Sequence, residues 1–268
     1  MRGILVALLV ATPSLLLPQA TNNSVEMVVL LALLAALLTF VEYNSHFPSF
    51  VEFRDAPPLN RIRFVALFAM IFILTVICKH KYEPTSITTI FAGFGALIGN
   101  WADFPYSPVR LVILMLPGDA PVLTVNAVRV SAAVSYAIAL VTVGTFWFFI
   151  RVLGWPTASG AFNVWVNLPL FDPTSGGDVV QRLQRDGRVN VIMGVLLPFI
   201  IPAVVKAASD WVNPISMDNP QTLIWTMSAW SFLPASMIMR GMAMLRISEL
   251  IEEKRRRAYA NAEAMQTA

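Results

Sequence analysis

Residues 86–117 read SITTIFAGFGALIGNWADFPYSPVRLVILMLP, and how they are threaded decides how often the chain crosses a bilayer. The stretch holds two apolar runs, Ile87 to Ile98 and Val109 to Leu116, split by Asn100, Trp101, Asp103, Pro105 and Pro108. Each run is shorter than the roughly 20 residues that a helix needs to cross the hydrocarbon core. The stretch is therefore either one broken span or a hairpin that enters and leaves on the same side.

Outward from this stretch the composition points to lipid. Of 268 residues, 57% are hydrophobic and 13% charged, and the mean hydropathy is +0.67. Soluble domains carry about 25% charged residues. Further apolar runs fall at 3–17, 25–41, 64–78, 130–150, 189–205 and 223–244. The first follows Met1-Arg2-Gly3 and resembles a signal peptide, but Pro18 makes a poor cleavage site, so a short first span or uncleaved anchor is preferred. The short linker Gln19 to Ser24 forces runs one and two into an antiparallel hairpin.

Charge chooses between the two threadings of 86–117. If the stretch crosses once, with Arg2 inside, 11 basic residues lie outside and 7 inside. If it enters and leaves on one side, Arg2, Arg54, Arg61, Arg63, Arg151, Arg182, Arg185, Arg188, Arg246 and Lys254 to Arg257 all lie inside. Only Lys79, Lys81, Arg110, Arg129 and Lys206 then remain outside, with Arg240 within a span. Cytoplasmic loops carry the excess of Lys and Arg, so the second threading is preferred. The expected fold is all-α: a polytopic membrane helical bundle of about six transmembrane helices plus one re-entrant or interfacial hairpin at 86–117. Residues 1–246 form a single transmembrane domain, and 247–268 a charged cytoplasmic helical tail. The expected setting is a bacterial inner membrane with both termini cytoplasmic.

Several function classes are disfavoured. The net charge of +3 sits in short clusters between apolar runs, not in a stripe with interleaved aromatics, so no nucleic-acid partner is expected. His46 and His80 lie in connections, whereas a membrane haem wants facing histidines inside helices. No His, Cys or carboxylate cluster has metal-ligand spacing, so neither cofactor nor metal is expected. Cys78 is the one cysteine, which excludes an intrachain disulfide. No nucleophile–base pair stands out. The loop 171–178 lacks the Gly-Lys-Ser/Thr ending of a phosphate loop and is read as a turn in which Asp178 caps the next helix.

The remaining candidates each carry two readings. Gly95 and Gly99 allow close helix packing or line a translocation path. Pro198 and Pro202, followed by Lys206 and Asp210, kink a span or break it for ion binding, as transporters do. Arg240 within a span is functional or snorkels to the near end. Arg54, with the aromatics Phe47, Phe50 and Phe53 around it, suits the headgroup level. Trp155, Phe162, Trp165 and Phe171 suit that level or a partner. Lys254, Arg255, Arg256 and Arg257 anchor the topology or dock a partner. The expected partners are membrane lipids and other membrane proteins. Elimination favours a non-enzymatic accessory, assembly or scaffold component of a membrane complex; the alternative is a small-solute or ion transporter.

Overall fold

A computed structural model describes residues 1–18, 22–46, 48–156, 167–169, 171, 177–208 and 216–267. Helix is the regular structure of these residues: α1 (Arg2–Leu16), α2 (Asn22–Asn44), α3 (Leu59–Lys79), α4 (Ser86–Ala102), α5 (Pro108–Leu114), α6 (Val122–Arg151), α7 (Val179–Ala208) and α8 (Pro220–Thr267). Four stretches are long and apolar enough to cross a bilayer: Val25–Asn44, Leu59–Lys79, Val122–Arg151 and Val179–Ala208. α1 and α4 are shorter apolar helices. Along α2, Leu30, Leu33, Leu34, Leu37 and Leu38 are all exposed, a surface that only lipid can solvate. The chain is an integral membrane protein, all-helical among the described residues.

Local chemistry sets the helix starts. Thr85 and Thr88 form a reciprocal capping box at the head of α4. Ser107 accepts the Arg110 N–H at 3.0 Å before Pro108 opens α5. Asn219 accepts from Gln221 N–H at 2.9 Å ahead of α8. Asp178 accepts from Val180 N–H at 3.2 Å ahead of α7.

Several helices overrun the apolar runs that predicted them. α6 begins at Val122 rather than 130 and α7 at Val179 rather than 189. The residues from Val179 to Arg188 are the first turns of α7. Arg129, Arg182, Arg185 and Arg188 mark where apolarity stops, but Arg is a good helix former, so the helix does not stop with it. In the same way α8 continues from its apolar part into the charged tail.

Antiparallel packing gives the bundle two ends. Leu59 shares a cluster with Phe146, and Met70 with Ala139, so α3 and α6 run oppositely. α7 and α8 form the most extensive helix pair. A Cβ on Gly241 would lie 2.5 Å from the Gly187 carbonyl oxygen, and one on Gly194 2.7 Å from that of Pro234. Only glycine lets these backbones come so close. One end, here the basic end, gathers Arg2, the 45–58 connection, Trp155 and the start of α7. At the opposite end Gln221 donates to Ser14 at 3.1 Å and Thr124 to Asp218 at 2.5 Å. α4 starts there, with His80 Nδ1 3.1 Å from Thr88 Oγ1.

Candidate functional site

The densest polar construction is the basic end, where the 42–63 connection folds into the bundle. Glu42, at the end of α2, is buried. Its carboxylate accepts the backbone N–H groups of Ser49, Phe50 and Val51 at 2.9–3.1 Å. Arg54 Nη1 donates to the carbonyls of Glu42 and Ser45 at 3.1 and 2.6 Å. These bonds turn the chain back toward the protein, and Phe53 takes φ 54°, a conformation uncommon for a residue with a Cβ.

Phe53 then enters a core cluster with Trp155, Phe146, Leu168 and Phe171. Ring centroids lie 5.9 Å apart for Phe53–Trp155 and 5.2 Å for Phe146–Trp155. Trp155 Nε1 donates to the Pro57 carbonyl at 3.0 Å. Asn167 accepts at both of its oxygens, from Phe53 N–H at 2.6 Å and Asp55 N–H at 2.9 Å. Phe53, Trp155 and Phe171 are therefore core residues and not the headgroup-level aromatics that the sequence suggested. A tryptophan with a reachable carbonyl buries well. Phe50 is exposed; Phe47, Phe162 and Trp165 lie outside the described residues.

Beside this cluster sits a charged group drawn from two helices and the connection between α2 and α3. Arg240 on α8 donates from Nε and Nη2 to the two carboxylate oxygens of Glu52 at 2.5 and 2.8 Å. Glu52 is 5% exposed. Such forked pairs are the stronger kind of ionic hydrogen bond. Arg63 on α3 donates from Nε to Ser236 Oγ at 2.7 Å and from Nη2 to the same oxygen. Arg240 thus reaches an internal acid. Glu52 could not be singled out from sequence, although an acid flanked by Val51 and Phe53 is a weak signal of burial.

The other candidates scatter. Gly95 and Gly99 face Val130 of α6, where Cβ atoms would stand 2.8 and 3.4 Å from it; they are packing positions in the described structure. Pro202 has no N–H for the Pro198 carbonyl four residues earlier, and Trp230 Nε1 donates to that carbonyl instead, at 3.2 Å. Lys206 is exposed near the end of α7, and Asp210 lies outside the described residues. Lys254, Arg255, Arg256 and Arg257 are exposed. Among them Arg255 reaches Asp178 at 2.8 Å and Arg257 reaches Glu253 at 3.9 Å. The hydrogen bond from Arg255 holds the Asp178 carboxyl below its ordinary range, helped by the Val180 N–H.

At the opposite end an apolar cleft of about 80 Å³ lies between α5, α7 and α8 beside Trp230. It shares Leu116, Pro117 and Met217 with a more polar hollow of about 250 Å³ that holds Asp119, Thr124 and Asp218. Among the described residues no group of His, Cys, Asp and Glu is arranged to hold a metal ion. Comparisons with protein-family models, curated proteins and solved structures give no match.

Proposed function

We propose that this chain is a non-enzymatic component of a bacterial inner-membrane assembly, acting through contacts of its basic, cytoplasmic end with other proteins. One observation carries the reading. Every residue of α8 from Lys254 to Met265 is exposed, so the helix runs on past the body, with Arg255 reaching back to Asp178. A short helix in water is marginal by itself, and a partner's surface would stabilise it. In this reading α1, α2, α3, α6, α7 and the first part of α8 cross the bilayer, and both termini are cytoplasmic. α4 and α5 stay on the far side. Gly95 and Gly99 both meet Val130, about 12 Å from the start of α6 at 1.5 Å per residue, which supports that placement.

The test neutralises Lys254, Arg255, Arg256 and Arg257 to glutamine in the full chain. Crosslinked membranes are then purified and partner stoichiometry measured alongside topology. The expected result is unchanged insertion with loss of a stoichiometric partner. A wild-type chain that purifies alone after crosslinking contradicts the reading.

The transporter reading is favoured by two hollows at the opposite end that share Leu116, Pro117 and Met217, one lined by Asp119 and Asp218 and the other by Ile201 and Trp230. Against it stands the chemistry of the same region. The carbonyl that a broken helix would offer an ion is already taken by Trp230, and at the basic end Arg240 is taken by Glu52.

A further inference from the structure

We propose that α4 lies flat in the far leaflet of the bilayer, with Ile87, Ile90, Phe94, Leu97 and Trp101 set among lipid acyl chains. The inference rests on the far-side placement of α4 and α5 and adds what covers α4. It starts from the surface of the helix, which presents three faces. Thr88, Gly95, Gly99 and Ala102 are buried. Ile87, Ile90, Phe94, Leu97 and Trp101 form a second face, each 60–81% exposed. Ser86, Thr89, Gly93, Ala96 and Asn100 form a third, exposed as well. Steps of three and four residues keep each set on one side of the helix. A helix standing upright in lipid is apolar all round. One open face of α4 is large and apolar, the other small and polar, which suits acyl chains on one side and water on the other.

The contacts of α4 fix its course. His80, just past the end of α3, meets Thr88. A Cβ on Gly95 would still lie 3.1 Å from Ile77 of α3, and 2.8 and 3.6 Å from Val130 and Val134 of α6. One turn further, a Cβ on Gly99 would meet Val130 again, at 3.4 Å. Between those two glycines an upright helix would advance about 6 Å along α6. α4 makes no such advance toward the basic end, and crosses α6 near the level at which α3 ends. Charged pairs flank it, Lys79–Glu83 at 3.0 Å ahead of it and Asp103–Arg110 at 2.8 Å after it. No charged residue falls between Glu83 and Asp103. The second pair closes the turn to α5, which suits a turn at polar level and not one at the bilayer centre.

The chemistry of the apolar face separates lipid from a neighbouring helix. Helix–helix contacts inside membranes are enriched in small residues. α4 turns Gly95 and Gly99 toward α6, and its apolar face holds no small residue. Trp101 and, beyond the helix, Tyr106 are exposed. Each carries one polar group on an apolar ring, the kind of side chain that settles at the headgroup boundary.

The test uses the full Cys78→Ser chain in liposomes of phosphatidylcholine and phosphatidylglycerol, with single nitroxide-labelled cysteines. Ile90, Phe94 and Leu97 sample the apolar face, and Thr89, Gly93 and Ala96 the polar one. All are exposed, and the remaining positions on a face serve if one variant misfolds. Power saturation is read with oxygen, which concentrates in lipid, and with a nickel chelate, which stays in water. Labels on the apolar face should be reached by oxygen at one shared, shallow depth. Labels on the polar face should be reached by the nickel chelate. An upright helix would instead change depth by about 10 Å from position 90 to 97, with oxygen reaching both faces, and overturns the proposal. The sidedness of labels at positions 84 and 118 then separates the causes. Opposite sides remove the far-side placement too, whereas the same side leaves it and makes α4 re-entrant. Apolar-face labels reached by neither reagent also overturn the proposal, because protein, such as a second copy of this chain, then covers that face.

Discussion

Glu52 and Arg240 show how a residue's surroundings decide its cost. Alone at this depth either charge is expensive. Together they form a forked pair with 5% and 23% side-chain exposure. Glu52→Gln should destabilise the protein toward the lower part of the roughly 3–5 kcal/mol typical of breaking a buried pair, because Arg240 keeps some contact with its surroundings. The double variant Glu52→Leu with Arg240→Met should recover most of that loss. Denaturant titration in mixed micelles measures both, and a Glu52→Gln protein as stable as wild type refutes the pairing. Asp178 gives a second prediction. Its carboxyl is held below the ordinary range by Arg255, so the contact stabilises the fold at neutral pH and is lost as pH falls through the lowered value. Hydrogen exchange in the last turns of α8, corrected for intrinsic rates, should rise on acidification. The Arg255→Gln protein should lack that pH dependence; a pH response identical to wild type contradicts the contact.

Between elements, close approach and rescued carbonyls hold the bundle together. Gly241→Ala would press a Cβ to 2.5 Å from the Gly187 carbonyl oxygen and 2.8 Å from Val191. α7 and α8 must then separate, at about 1–3 kcal/mol. Gly144→Ala, with nothing within 4 Å of its Cβ, should be neutral or mildly stabilising. Equal unfolding midpoints for the two variants would refute the tight α7–α8 contact. Trp230 and Pro202 form a coupled pair. Trp230→Phe leaves the Pro198 carbonyl unpaired, costing about 1–3 kcal/mol beyond the change in packing. Pro202→Ala restores an N–H for that carbonyl, so Trp230→Phe should cost less in that background. A double-mutant cycle with no coupling contradicts this account. The prolines of α7 were legible in the sequence and so was their freed carbonyl, because both follow from local covalent structure. The donor was not, since Trp230 is distant in the chain. Likewise Gly95 and Gly99 announce themselves by spacing four apart, whereas Gly187, Gly194 and Gly241 gain meaning only once α7 lies against α8.

For the whole molecule, composition and run length reveal the membrane and the helices, because lipid imposes one rule on every span. The same pattern misplaces helix ends at Val122 and Val179, since hydropathy reports the bilayer boundary and not the hydrogen-bond ladder. It also sends Phe53, Trp155 and Phe171 to the headgroups. Nothing local distinguishes an interfacial aromatic from one buried under a folded connection, and Asn167 and Pro57, which fix that burial, lie far apart in sequence. The threading of 86–117 is where the account stands or falls. Single cysteines replace Pro84 and Gly118, both exposed, and Ala268, in a Cys78→Ser background, and are labelled with a membrane-impermeant maleimide in intact and permeabilised bacterial spheroplasts. Labelling of positions 84 and 118 in intact spheroplasts, with position 268 labelled only after permeabilisation, is the predicted result. Labelling of 84 and 118 from opposite sides would make the stretch a true span and contradict the six-span bundle.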